Sequence, residues 1–282
     1  MRAEQLTESV AYHAEGPVWS ERWGGLRWVD MLAGDVLGLA SDGSVRRRHV
    51  ASIAATLRPR REGGAVIATE RGFALEEAGG EVRPLVDAWT DPTVRMNDGG
   101  CDPHGRFYCG SMAYDERPGA AALYRLDPDG SVSVVLEGVT ISNGLDFTPD
   151  GSAAYYVDTP TGRIDRFDYD PVRGLTGRRT FAEIPPDAGH PDGLTVDAEG
   201  GAWVALYDGG AVRRYTSDGT LDAVVEVGPR KTTACTFGGE NLRELFITTS
   251  RENLAPGEDP AAGALFRVVP GVAGMPVREF AG

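Results

Sequence analysis

The sequence predicts an all-β fold, a six-bladed β-propeller, on three observations. Six Gly-led or turn-led segments of strong β character recur at roughly 40–50-residue spacing, the period of propeller blades. A second hairpin, often with an Asp-Gly turn, follows most of them. Helical periodicity is nearly absent, while 38 Gly and 18 Pro supply the turns that many short strands need.

In chain order the six segments are GGLRWVD from Gly24, GGAVIATE from Gly63, GRFYCGSM from Gly105, GSAAYYVDT from Gly151, GGAWVALYD from Gly200 and NLRELFITTS from Asn241. The following hairpins include GDVLGLASDGSVRRR from Gly34, ALYRLDPDGSVSVVLEG from Ala122 and AVRRYTSDGTLDAVVEV from Ala211. The last, ALFRVVPGVAGMPVREF from Ala264, reads as the same unit with a Gly/Pro turn. About four strands per repeat cannot bury both sheet faces alone, whereas a ring of them can. The final repeat lacks a last strand, and Gln5 to Tyr12 is expected to supply it and close the ring. No linker or composition break divides residues 1–282, so one domain is expected. A pair of β-sandwiches is the competing fold, and the regular period argues against it.

Net charge is −14, which disfavours a nucleic-acid partner. Arg46 to Arg48, and Arg58, Arg60 and Arg61, are read as solvated strand ends and turns. Cys101, Cys109 and Cys235 are odd in number and form no C-x-x-C, so buried reduced thiols in a cytoplasmic protein are expected rather than disulfides or zinc. MRAEQLTESV lacks the pattern of a signal peptide, and no apolar run reaches membrane-spanning length. The oligomeric state stays open.

The phrases ISNGLDFTPDG (Ile141 to Gly151) and HPDGLTVDAEG (His190 to Gly200) repeat one design. Asn-Gly and Asp-Gly each read first as hairpin turns. Stepping back eight residues from the turn glycines Gly105, Gly151 and Gly200 lands on Asn97, Asn143 and Asp192. A one-residue adjustment in the first repeat lands on Glu15, and the second and sixth repeats fall near Ala55 and Thr233. Equivalent propeller positions form a ring about the axis. This ring is expected just before the innermost strands, at one mouth of the channel. Carboxylate and amide oxygens that converge without Lys or Arg among them suit a hard cation.

The phrases AEGPVW (Ala14 to Trp19), RMNDGGCDPHGRFYCGSM (Arg95 to Met112), ISNGLDFTPDG, YYVDT, PDGLTVDAEGGAWVALYDGG (Pro191 to Gly210) and KTTACTFGG (Lys231 to Gly239) resemble the gluconolactonase and regucalcin family, also called senescence-marker-protein and luciferin-regenerating-enzyme-like. The resemblance covers nearly the whole chain in order. It implies a six-bladed propeller with one divalent metal on the axis. It further implies that Glu15, Asn143 and Asp192 hold the metal and that Arg95 and Asn97 bind substrate. An acidic loop residue over the site falls near Asp115 or Glu116, with Arg117 competing for the position.

The chemistry expected is metal-assisted hydrolysis of a sugar-acid lactone, such as gluconolactone or a pentonolactone, to the aldonic acid. Ca²⁺, Zn²⁺, Mg²⁺ and Mn²⁺ are all candidates. Two routes to the nucleophile stay open: Asp192 as the base that takes the water proton, or hydroxide formed on the cation. The competing readings are a calcium-binding regucalcin-like regulator, a phosphotriesterase-like hydrolase on the same site and a scaffold for protein partners. The four histidines form no H-E-x-x-H, and there is no G-x-S-x-G. His13 and His190, each two residues before a proposed ligand, read more as turn histidines than as lining of the mouth. Cys109 is expected in the core, and Trp19, Trp28 and Trp203 in blade packing.

Overall fold

The computed structural model describes residues 1–282. β-branched and aromatic residues, interrupted every few positions by Gly turns, leave no helix longer than three residues. A short strand, β1 (Glu4–Gln5), comes first. Blade 1 is β2 (Ala14–Ser20), β3 (Gly25–Asp30), β4 (Asp35–Leu39) and β5 (Val45–His49). Blade 2 is β6 (Ala54–Pro59), β7 (Ala65–Thr69), β8 (Gly72–Glu76) and β9 (Val82–Asp87). Blade 3 is β10 (Val94–Cys101), β11 (Phe107–Ala113), β12 (Ala121–Leu126) and β13 (Val132–Val139). Blade 4 is β14 (Ser142–Phe147), β15 (Ala153–Asp158), β16 (Arg163–Asp170) and β17 (Gly174–Glu183). Blade 5 is β18 (His190–Val196), β19 (Ala202–Tyr207), β20 (Ala211–Tyr215) and β21 (Leu221–Glu226). Blade 6 adds β22 (Thr232–Gly238), β23 (Glu244–Thr249) and β24 (Phe266–Val268).

Six antiparallel four-stranded sheets result, the six-bladed propeller expected. The inner strands β2, β6, β10, β14, β18 and β22 touch their neighbours in turn, and β22 returns to β2. Blade 6 is closed by β1, which lies outside β24 with Glu4 opposite Arg267 and Gln5 opposite Phe266. The closing strand is therefore shorter and earlier than Gln5 to Tyr12. Beyond it, the amides of Leu6, Val10 and Ala11 still donate to the carbonyls of Leu265 and Gly263.

The hairpin expected from Ala264 does not form. β1 already occupies the free edge of β24, and Pro270 and Gly271 break the run, so the chain leaves the sheet after Val268. It crosses the end of the ring where the inner strands finish. Gly274 bridges Asp197, Arg278 donates to the Thr148 carbonyl, and the buried Phe280 bridges Arg60. Arg60 in turn donates to the Gly282 carbonyl at 2.8 Å. Arg60 is thus buried and Arg58 half-buried, rather than both being solvated. Arg58 reaches the Gly99 carbonyl between inner strands, and Arg60 is 5% exposed.

The core lies between blades. Met31, Ile53, Phe73 and Phe107 join blades 1 to 3. Trp203 meets Phe237 edge-on at 5.7 Å, and Trp19 stacks on Phe246 at 5.7 Å. Trp28 and all three cysteines are buried, and burial raises each thiol pKa far above its ordinary value.

Candidate functional site

Each inner strand carries the same irregularity at the same place. Its pairing with the second strand slips between Glu15 and Val18, Ala54 and Thr56, Met96 and Gly99, Ser142 and Leu145, Pro191 and Leu194, and Thr232 and Ala234. A β-bulge breaks strict alternation and re-aims a side chain. Ala55, Asn97, Asn143, Asp192 and Thr233 sit in these bulges, and Glu15 borders its own. The ring therefore lies within the innermost strands rather than before them. The Gly-led β runs are the second strands, so the eight-residue step crosses a hairpin turn.

Asn143-Gly144 and Asp192-Gly193 are accordingly not hairpin turns. Those turns fall at Gly151 and Gly200, which adopt positive φ of 69° and 82°. Gly144 and Gly193 serve the close approach of neighbouring blades. A Cβ on Gly144 would stand 2.4 Å from the Leu194 nitrogen, and one on Gly193 2.5 Å from the Ala234 Cβ.

At this end of the ring a cavity of about 450 Å³ opens, and Glu15, Arg95, Asn97, Asn143 and Asp192 all line it. Two residues before each bulge position, on the same strand face, stands a second tier nearer the mouth. It presents His13, Arg95, Ile141, His190 and Lys231 to the cavity. Both histidines thus line the mouth rather than only shaping turns. Glu116, Tyr207, Asp208 and Glu252 complete the upper wall. Of the three acidic-loop candidates, Glu116 reaches the cavity, in a left-handed backbone with φ 54°. Asp115 and Arg117 pair with each other instead, at 2.8 Å.

Hydrogen bonds fix how the amides face. Thr159 donates its hydroxyl to the Pro191 carbonyl at 2.8 Å, so its oxygen accepts from Asn143 Nδ2 at 2.7 Å. That leaves Asn143 Oδ1 on the cavity side, where Asn97 Nδ2 approaches it at 3.1 Å. Asn97 Nδ2 also donates to the Ser142 carbonyl at 2.8 Å, and its Oδ1 accepts from Arg95 Nη1 at 2.7 Å. Arg95 spends Nη1 further on the Met96 carbonyl and the Met31 sulfur. The last residues of two second strands steady the approach. Asp158 accepts from the amides of Thr140 and Ile141, and Asp30 from those of Tyr12 and His13.

Glu15 and Asp192 are 3% and 6% exposed, and neither forms an ion pair with an Arg, Lys or His. The pKa of Glu15 is raised by burial and then by the Asp98 carboxylate. That of Asp192 is raised well above its ordinary value by burial and then by Glu15. His13 is pushed down to about 3 by burial, with Arg95 and Lys231 adding to the effect, so its ring is neutral near pH 7. Burial also lowers the Arg95 pKa. Five carboxylates face two cationic side chains in the cavity. No cluster of three or more His, Cys, Asp or Glu forms; the donors are two carboxylates and an amide oxygen. Such an all-oxygen set, in a cavity with five carboxylates against two cationic side chains, fits a hard divalent cation.

Lys231, Glu252, Tyr207 and Thr159 were not singled out in the sequence. The period-2 step back from Thr233 points to Lys231. Thr159 and Glu252 join the site only through blade neighbours, which no local pattern shows.

Residues 13–251 match the family described as SMP-30/Gluconolactonase/LRE-like region. Regucalcin of Danio rerio is 35% identical over 278 residues, 95% of this chain and 94% of that protein. Pentonolactonase XacC of Haloferax volcanii is 34% identical over 285 residues, 98% and 97% of the two chains. The crystal structure of a calcium-binding protein, regucalcin, from Agrobacterium tumefaciens superposes with a TM-score of 0.93 at 28% identity, covering 99% of this chain and 97% of the other. With a matching propeller, a family match over most of its length and relatives aligned nearly end to end, this chain belongs to the SMP-30, gluconolactonase and LRE-like family.

Proposed function

We propose that the chain is a divalent-metal-dependent lactonase that opens a small sugar-acid lactone, an aldonolactone such as gluconolactone or a pentonolactone, to its aldonic acid. One observation carries the reading. Glu15 and Asp192, buried without a cationic partner, share the axial mouth with an Asn143 oxygen turned toward the cavity. A family that includes gluconolactonases and a relative named a pentonolactonase support it. Glu15, Asn143 and Asp192 would hold Ca²⁺, Zn²⁺, Mg²⁺ or Mn²⁺. When bound, the cation supplies Lewis acidity toward the lactone carbonyl.

The side chains do the rest. Asp192 accepts a proton from the attacking water, a step that the amides of Asn97 and Asn143 in the equivalent bulges cannot perform. Water adds to the carbonyl carbon and the ring C–O bond breaks. The ring oxygen takes up a proton, leaving a carboxylate, a hydroxyl and one proton in solution. Arg95 keeps Nε and Nη2 for substrate oxygens, while Asn97 ties Arg95 to Asn143 and orders both. The neutral His13 ring and the walls of the cavity limit the water around the reacting ester. The cavity is small, polar and rich in acceptors, as a hydroxylated ring requires. A cytoplasmic setting fits the three buried free thiols.

A calcium-binding role without turnover is the second reading, favoured by the all-oxygen donor set and by two relatives named regucalcin. A panel of five- and six-membered aldonolactones and one phosphotriester, assayed by proton release after chelation and reloading with each metal, separates the readings. Lactone turnover that returns only with metal supports the lactonase. Calcium binding with no turnover of any ester replaces it with the second reading.

A further inference from the structure

Lys231 is the single lysine in a chain whose lysines and arginines total 28. Everywhere else a cation is needed, this protein uses arginine. Lys231 stands two residues before the blade 6 bulge, and Arg95 two residues before the blade 3 bulge. In a six-blade ring these blades are opposite, so the two cations of the cavity face each other across it. Lys231 is 7% exposed and lines the cavity. Its ammonium lies 5.0 Å from the centre of the Tyr207 ring and donates one hydrogen to the Glu252 carbonyl at 2.6 Å. The other two hydrogens meet no protein acceptor, and no carboxylate pairs with it. A buried ammonium with two unspent donors aimed into a cavity is built to meet a ligand.

We propose that Lys231 is a specificity-determining residue of this site, its ammonium holding a hydroxyl oxygen at the end of the ligand away from Arg95. The proposal rests on the lactonase reading. Arg95 is tied through Asn97 to Asn143 and so belongs to the carbonyl end of a bound lactone. Below Lys231, Thr233 spends its hydroxyl on the Ala14 carbonyl at 2.6 Å and leaves the ammonium as the free donor of blade 6. A ligand that spans the cavity must therefore carry oxygen at both ends, which selects polyhydroxylated lactones over bare ring lactones. A compact ammonium with three rotatable donors fits between the Tyr207 face and the Glu252 carbonyl, whereas a planar guanidinium is longer and fixed in its fork.

The test compares gluconolactone with δ-valerolactone in the wild type, Lys231→Met and Lys231→Arg. Lys231→Met should lower the kcat/KM ratio of gluconolactone to δ-valerolactone roughly 10- to 100-fold, mainly through KM, the loss typical of a charge-assisted hydrogen bond. Lys231→Arg should not restore it. A second readout needs no turnover. Amine acetylation followed by mass spectrometry can modify only Lys231 and the Met1 amino group, and gluconate should protect the first and not the second. An unchanged ratio with Lys231 unprotected, or equal losses on both lactones, overturns the proposal. Protection in a protein that hydrolyses no lactone supports Lys231 as a ligand contact and overturns the lactonase reading alone.

Discussion

Asn143 and Asp192 occupy the same bulge on adjacent blades, yet one is an amide and the other a carboxylate. Both can offer an oxygen to a cation, but only the carboxylate accepts a proton near pH 7. Asp192→Asn should therefore bind metal and still lose about 10²–10⁴ in metal-saturated kcat. Near-normal turnover in that variant would remove the base role from Asp192. Glu15→Gln should weaken cation binding strongly in titration calorimetry while the strands stay folded, because no hydrogen bond from another blade depends on its carboxylate. Unaltered cation affinity would take Glu15 out of the site. Arg95→Ala should keep its metal and lose roughly 1.5–3 kcal/mol in kcat/KM, as expected for one charge-assisted bond. Wild-type kinetics across the lactone panel would make Arg95 a framework residue. At this scale Glu15, Asn97, Asn143 and Asp192 were legible because the repeat sets them in register. Lys231, Thr159 and Glu252 were not, since their meaning comes from a neighbouring blade or from hydrogen bonds that order an amide.

Second strands such as β11 and β15 are buried along their whole length and read as unbroken β runs. Inner strands are also buried, but they carry the polar ring and its glycines, so they read as turns. That reversal explains why the ring was expected before the innermost strand when it lies on that strand's bulge. The tail after Val268 departs from the expected hairpin for another reason. Its pattern is that of a hairpin, but the edge it would pair with is filled by residues from the far end of the sequence. The bulge glycines give the element-scale prediction. Gly144→Ala forces a methyl against the Leu194 backbone and should cost about 1–3 kcal/mol, seen as a lower urea midpoint. An unshifted midpoint would show that the inner strands have room to part.

For the whole molecule, the two buried carboxylates link stability to pH. Folding raises the pKa of Glu15 and Asp192, so the native state holds their protons more tightly than the unfolded chain. The metal-free protein then loses stability as pH climbs from the ordinary carboxylate range toward those raised values. A bound cation favours the ionised forms and opposes the loss. The gain in Tm on adding calcium should be larger near pH 8 than near pH 5. A gain that does not change with pH would detach these carboxylates from the cation. The same ring also sets the timing of biosynthesis. Because β1 seats on β24, the ribosome delivers one part of the sixth blade first and its partner last. Glu15 emerges early and waits through four more blades for Asp192, then longer for the clasp. A nascent chain that stops short of Phe266 has no edge on which β1 can close, and its sixth blade lacks the two outer strands. The cavity at the mouth of the ring is thus completed late in translation, since Lys231 and Glu252 of its wall belong to blade 6.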